Sequence, residues 1–216
     1  MGMLGAVHLA LSGGSSGRLL CAALAREVSL GASEWMRIHL WLVDERCVAD
    51  DDARLNFGMI CDALAPHVPL PAGNLHPMPV LLADGDERYE RELQAAFRQR
   101  GDTDERRLDV VVLGMGSDGH TASLFPGTPA LDERTRMIVF NDGADVAPPR
   151  PRMTMTYPLI NRTSFIALLV TGAGKKATLQ HVAENPHDRR ARPVVGVVPS
   201  ATSRMLWYLD QAALPR

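Results

Sequence analysis

Short apolar runs, each about the length of one strand, recur along the chain and are separated by stretches with helical spacing. The runs at 6–11, 37–43, 108–113, 137–140, 165–170, 194–198 and 205–208 are rich in Val, Ile and Leu and lack clean alternation. That is the pattern of strands covered on both faces. Between them, Leu19, Leu20, Ala23, Leu24 and Val28 make one helical stripe, and Phe57, Ile60 and Leu64 a second. Tyr89, Leu93 and Phe97, at i, i+4 and i+8, make a third, with Asp84 or Asp86 as its N-cap. Strands alternating with helices predict an α/β fold with a mainly parallel sheet. The Pro-rich stretch 142–151 predicts a long loop, and 184–192 a charged one whose Arg189, Arg190 and Arg192 belong to a solvated face.

The segments that follow the strands differ in kind from those that enter them. Ser12-Gly13-Gly14-Ser15-Ser16-Gly17 follows the first, Asp44-Glu45-Arg46 the second, and Gly114-Met115-Gly116-Ser117-Asp118-Gly119-His120-Thr121 the third. Thr171-Gly172-Ala173-Gly174-Lys175-Lys176 follows the run 165–170. In an open parallel sheet, ligands bind outside the carboxyl ends of the strands, so a site is expected where these four loops meet. Three of them suit an anion. Glycines let backbone N–H groups approach a phosphate, and a helix N-terminus adds partial positive charge. Ser12, Gly13, Gly14 and Ser15 make the phosphate cradle, and Lys175 adds a mobile point charge. Arg152 offers a fork for a bidentate contact, with a plain surface arginine as the bland alternative. The inference is a small phosphorylated substrate.

Two motifs match by letter only. Gly13-Gly14-Ser15-Ser16-Gly17 satisfies the nucleophile-elbow pattern, but it follows the first strand, and the late histidines, His181 and His187, lie in or beside a polar helix and loop. Gly114-x-Gly116-x-x-Gly119 satisfies the dinucleotide pattern. There, Asp118 would oppose a pyrophosphate, and Pro126-Gly127 ends any helix after barely one turn. The better candidate is His120, in a Gly-rich strand-end loop two residues after Asp118, because histidine serves as a general base near neutral pH. Asp44, Glu45 and Arg46 add carboxylates and a cation, or else a salt-bridged turn. No metal-ligand spacing and no obvious covalent nucleophile accompany them. A base, carboxylates and cations around a phosphate site suit hydrolysis or isomerisation of a sugar phosphate.

Composition narrows the setting more than the chemistry. The 216 residues carry a net charge of −2, with 46% hydrophobic and 22% charged residues, so one globular domain over 1–216 is expected. That balance leaves no nucleic-acid footprint, and no apolar run approaches the ~18 residues that a membrane helix needs. No signal peptide is legible, Ala6 breaks a myristoylation pattern at Met1-Gly2, and the expected compartment is the cytoplasm. Cys21, Cys47 and Cys61 are odd in number and make neither a disulfide framework nor a zinc site. Of 23 Lys and Arg residues, all are Arg but the adjacent Lys175 and Lys176. Chance survival under a coding bias is the bland reading of that isolation; the context of Lys175, after Gly172 and Gly174 at a helix start, draws it toward function.

Taken in order, Ser12-Gly13-Gly14, Asp44-Glu45-Arg46, the block from Gly114 to Pro126, Arg152-Met153-Thr154-Met155-Thr156 and Trp207-Tyr208 resemble the glucosamine-6-phosphate isomerase/6-phosphogluconolactonase family over nearly the whole chain. Residues 40–48 and 76–80 are most similar to the lactonase half of the bifunctional hexose-6-phosphate dehydrogenase. Arg46, where the deaminases of the family usually have Tyr, and the sequence after His120 favour the lactonase branch. The resemblance implies a three-layer, Rossmann-like fold with a mainly parallel central sheet, without the usual N-terminal helix and strand. It implies hydrolysis of 6-phospho-D-glucono-1,5-lactone in the oxidative pentose phosphate pathway, without metal or organic cofactor. The alternatives are a deaminase-like enzyme or a non-catalytic sugar-phosphate-binding domain. His120 would be the base, Asp118 its orienting partner, and Asp44 and Arg46 would complete the catalytic set. Ser12, Gly13, Gly14, Ser15, Gly116, Arg152 and Lys175 would hold the substrate. Coupling to a glucose-6-phosphate dehydrogenase, and an endoplasmic reticulum location for a bifunctional chain, also follow from it. At the expected site, Ser16-Gly17 stands where Thr-Pro is commoner and Leu55-Asn56 where Ser-Asn is usual.

Overall fold

A computed structural model describes residues 5–27, 29–99, 107–142 and 151–215. Val28, the Met1-Gly2 terminus and nearly all of the expected Pro-rich loop lie outside them. In chain order the elements are β1 (Val7–Leu11), α1 (Gly14–Glu27), α2 (Ala32–Trp35), β2 (Ile38–Leu42), β3 (Asp44–Arg46), α3 (Asn56–Leu64), β4 (Leu75–His76) and α4 (Gly85–Gln99). They continue with β5 (Val110–Leu113), β6 (Ile138–Asn141), β7 (Arg152–Met155), α5 (Tyr157–Ile160), β8 (Phe165–Val170), α6 (Lys176–Glu184) and β9 (Arg204–Leu209).

Six strands form a wholly parallel sheet in the order β4-β2-β1-β5-β8-β9. From β1 the chain winds outward through β2 to β4 on one side, and from β5 through β8 to β9 on the other. The topological switch therefore lies between the carboxyl ends of β1 and β5, where an open sheet leaves a crevice. The expected mainly parallel α/β architecture is what the chain adopts. Buried Leu11, Leu40, Leu42, Val111, Leu113, Ile166 and Leu168 place the core on this sheet, with Tyr89, Leu93 and Phe97 of α4 packed into it. Asp84 directly precedes α4 and Asp86 sits in its first turn.

A second sheet departs from the expected organisation. β3, β7 and β6 pair antiparallel, with Asp44 opposite Thr154 and Arg46 opposite Arg152. Both the Asp-Glu-Arg segment and Arg152 were expected in loops. Asp44-Glu45-Arg46 has no apolar periodicity, and the alternation over 152–156 is too brief to announce a strand; pairing with each other and with β6 makes them strands. The backbone N–H of Met155 donates to the Val43 carbonyl at 2.8 Å, joining the small sheet to the end of β2. The expected strand at 194–198 is also corrected. Pro193–Gly196 forms a 3-10 turn, with Val194 and Val197 buried. Tyr157 donates to the Pro193 carbonyl and the Asn161 amide to that of Gly196, so its polar groups are met without a strand partner. A short valine run cannot by itself distinguish a buried turn from a buried strand.

On the β2–β4 side the core contains a chain of polar rings. His76 bonds Glu92 Oε1 at 2.6 Å and His39 at 2.9 Å, and its ring stacks on Trp41. Trp41 donates to His8 Nδ1 at 3.1 Å. Burial, with His76 adding to it, lowers the pKa of His39 from 6.5. Unfolding then takes up a proton in the window from 6.5 down to the lower folded value, so stability contributed above 6.5 is lost as pH falls through it. Urea midpoints are expected to drop between pH 7 and 5.5, and to drop less for His39→Gln. The difference between the two proteins separates His39 from His8, His76 and Glu92, which face it. Equal slopes would remove His39 as the cause.

Candidate active site

A cavity of about 250 Å³ opens at the switch point. Its walls bring together Ser12 and Gly13 from the β1–α1 turn, Gly14 and Ser15 from the start of α1, Asp44 and Arg46 from β3, Gly116 and His120 from the loop after β5, and Lys175 from the turn before α6. Nine of the eleven residues expected at a site thus line one cavity. Asp118 reaches it through His120, and Arg152 does not line it. A larger cavity, about 520 Å³, lies among residues leading into β8 and β9 and contains none of these strand-end groups.

The anion end is built by α1. Its first residue is Gly14, at φ +78°, so Ser15, Ser16 and Gly17 form the first helical turn and not the loop expected for them. At a helix start the N–H groups up to Ser16 have no intrahelical acceptor, and with the helix dipole they favour an anion. Ser12 Oγ is buried there without a partner. Ser16 Oγ and Thr171 Oγ1, 3.2 Å apart, tie this turn to the loop that carries Lys175. Among the described residues no hydrogen bond links Ser15 to a histidine, the contact that a nucleophile elbow would use. Nor does a helix follow Gly114–Gly119, so the dinucleotide pattern lacks its structural context.

At the other end, His120 Nδ1 and Asp118 Oδ1 lie 2.6 Å apart, and the His120 backbone N–H donates to the same oxygen at 3.2 Å. Burial raises the Asp118 pKa, but the hydrogen bond and charge of the His120 ring, with backbone donors, outweigh it and leave the carboxyl below its usual value. A carboxylate at Nδ1 selects the tautomer with the proton on that nitrogen, leaving Nε2 as the acceptor. The ring leans on Phe125, with centroids 4.9 Å apart. Gly116 N–H donates to the His120 carbonyl at 2.8 Å and closes the loop. A methyl group at Gly116 would lie 2.2 Å from His120 Nδ1 and 2.5 Å from Asp118 Oδ1, so the dyad occupies space that only glycine leaves free. Beside it, Ala122 is the one non-glycine at positive φ, +50°, among the described residues, a strained conformation of the kind found at functional sites.

The carboxylates of β3 divide their work, which the sequence did not indicate. Asp44 is 8% exposed and accepts from Ser123 Oγ at 2.6 Å. Glu45 points away from the cavity and accepts the backbone N–H groups of Arg46, Asn56 and Phe57 at 2.7–2.8 Å. It caps α3 from outside, and burial pushes its pKa up against those three bonds. Arg46 donates to the Arg54 carbonyl and keeps a buried, unpartnered Nε at the cavity. Arg152 is 5% exposed. Burial and the charge of Arg46 lower its pKa, with Asp44, Glu45 and Cys47 opposing. Expected at the phosphate, it lies opposite Arg46 in the small sheet and outside the lining of the cavity. Burial also pushes the Cys47 thiol up to about 11, so it is no nucleophile at neutral pH. Asn56, absent from the expected set, does line the cavity. Its signal in the sequence is the Leu55-Asn56 pair, which stands where Ser-Asn is usual in the family the chain resembles.

Among the described residues no three His, Cys, Asp or Glu side chains are placed to hold a metal, and no helix is long and apolar enough to cross a membrane. Comparison with known proteins then bears on the site. Residues 3–207 match the family described as glucosamine-6-phosphate isomerases/6-phosphogluconolactonase. The chain is 39% identical to the 6-phosphogluconolactonase of Synechocystis sp., over 95% of this chain and 82% of that one. It is 38% identical to the human GDH/6PGL endoplasmic bifunctional protein, over 97% of this chain but only 26% of that protein's length. The crystal structure of the 6-phosphogluconolactonase of Thermotoga maritima superposes with a TM-score of 0.79 at 28% identity, covering 96% of this chain and 86% of that one.

Proposed function

The chain belongs to the glucosamine-6-phosphate isomerase/6-phosphogluconolactonase family, and we propose that it works there as a lactonase, residues 1–216 forming a single domain. It hydrolyses 6-phospho-D-glucono-1,5-lactone to 6-phospho-D-gluconate, the lactone step of the oxidative pentose phosphate pathway. The observation that carries this is the meeting, in one cavity, of the His120–Asp118 dyad and an anion cradle at the α1 N-terminus.

The phosphate binds the N–H groups of the Ser12–Ser15 turn and the Lys175 ammonium, and its binding energy sets C1 of the lactone before His120. His120 Nε2 takes a proton from water as the water oxygen bonds to C1. Asp118 holds the ring and stabilises the imidazolium. The carbonyl oxygen becomes an oxyanion facing the Arg46 guanidinium, which supplies charge where charge develops. The C1–ring-oxygen bond then breaks, and His120 returns its proton to the departing ring oxygen. A lactone is an activated ester, so water suffices as nucleophile and no acyl-enzyme is needed. Asp44, anchored by Ser123, accepts from a substrate hydroxyl.

The three cysteines are free, which suits a reducing compartment, and the cytoplasm is the proposed location. The endoplasmic relative marks the lumen as the alternative. A dehydrogenase that removes hydride from C1 of a sugar 6-phosphate must supply the substrate, whether fused or separate. The test generates the lactone in situ with such a dehydrogenase and follows 6-phosphogluconate at mildly acidic pH, where spontaneous hydrolysis is slow. The wild-type chain is expected to accelerate hydrolysis, and Lys175→Ala to raise KM about tenfold with kcat little changed, as loss of one phosphate charge predicts. A folded chain without acceleration would leave a deaminase or a sugar-phosphate-binding domain in its place.

A further inference from the structure

Asn56 is 2% exposed and its Oδ1 has no hydrogen-bond partner, yet the residue lines the cavity. Its orientation is fixed. Nδ2 donates to the Asp44 carbonyl at 2.8 Å, and a flipped amide would set two acceptors against each other. Its backbone is fixed as well, since its N–H donates to Glu45 Oε1 at 2.8 Å as the first residue of α3. Oδ1 faces the phosphate cradle: a methyl group on Gly13 would meet it at 1.8 Å. Asn56 therefore bridges the cradle and the Asp44 strand.

A buried carbonyl oxygen held at the wall of a polar cavity is costly unless a donor reaches it. On the lactone substrate, the phosphate, the C1 carbonyl and the ring oxygen are acceptors. Its only donors are the hydroxyls on C2, C3 and C4, which lie between the phosphate-bearing carbon and the reacting carbon. We infer that Asn56 is a specificity-determining residue whose Oδ1 accepts a hydrogen bond from one of these ring hydroxyls. This rests on the lactonase reading above. It explains why so buried an amide sits at the middle of the site, with Asp44 immediately beside it to accept a second hydroxyl. A site built to meet a hydroxyl discriminates against the analogue that lacks it, because its own polar group is then left unpaired.

The experiment compares wild type and Asn56→Ala on the full lactone and on its three monodeoxy versions, lacking O2, O3 or O4, each formed in situ by oxidation of the corresponding sugar 6-phosphate. On the full lactone, Asn56→Ala is expected to lower kcat/KM about 10- to 100-fold, the range for an unmet buried hydrogen bond. On one of the deoxy lactones the same substitution is expected to cost less than about threefold, since neither partner of the bond remains. The ratio between substrates does not depend on how much of the variant is folded. Asn56→Ser, which shortens the side chain and keeps a polar group, provides a second variant with the same expected pattern. An equal penalty on all four lactones would overturn the inference while wild-type turnover keeps the lactonase reading standing. Absence of wild-type turnover on every lactone would overturn both.

Discussion

Replacing His120 with alanine is expected to lower kcat for the lactone about 10²- to 10⁴-fold, the usual contribution of a positioned acid–base group, and to leave the fold intact. The fold survives because, among the described residues, the ring is held by Asp118 and a contact with Phe125, at the rim of a cavity and outside the core cluster. The phosphate cradle is untouched, so KM should move little while kcat falls. The coupled assay for 6-phosphogluconate reads the loss, and circular dichroism with a thermal scan verifies the fold. Asp118→Asn should act in the same direction, because an amide no longer selects the tautomer with the proton on Nδ1. Ser15→Ala is the counterpart and should keep most of the activity. Full activity without His120, or a covalent label on Ser15 with activity lost in its alanine variant, would return the site to the hydrolase alternative.

Gly116→Ala is expected to reduce kcat about 100-fold with almost no change in thermal midpoint. The added methyl group would stand 2.2 Å from His120 Nδ1, 2.3 Å from His120 Cε1 and 2.5 Å from Asp118 Oδ1, distances at which something must move. What moves most cheaply is the partly exposed dyad. A shift of about 1 Å in a catalytic group is enough for such a loss. The loop otherwise closes through Gly116 N–H to the His120 carbonyl and Thr121 Oγ1 to the Gly114 carbonyl, bonds that do not involve the Gly116 side of the ring. A variant with near wild-type kcat would mean that the His120 position in the loop does not set the rate. A collapse of stability would mean that the loop is a folding element first.

Much of this molecule is legible in its amino-acid sequence. The apolar runs at β1, β2, β5 and β8 predict strands because a strand covered on both faces is apolar at nearly every position, and that demand is local; β9, at the sheet edge, keeps alternate side chains exposed. The same holds for the Tyr89, Leu93, Phe97 stripe of α4. The catalytic candidates are legible because ligands bind at the carboxyl ends of parallel strands, and the sequence right after a strand is the sequence at that edge.

The small sheet is not legible in this way. Asp44-Glu45-Arg46 becomes a strand only by pairing with Arg152–Met155, more than a hundred residues away, and no local pattern encodes such a partner. That pairing puts Arg152 inside the small sheet, outside the lining of the cavity, while Glu45 of the same sheet caps α3. The value of Asn56 is equally hidden. Nothing in its neighbours in sequence says that Asp44 will take its amide nitrogen and leave its oxygen facing the cradle. Local sequence is enough for the parallel α/β sheet, the edge that carries the site and the His120–Asp118 pair, because burial on two faces and the two-residue spacing of that pair act locally. Long-range pairing settles which polar side chains point into the cavity and which are consumed in holding it, since a hydrogen-bonding group is available to a substrate only where the distant chain has left it unmet.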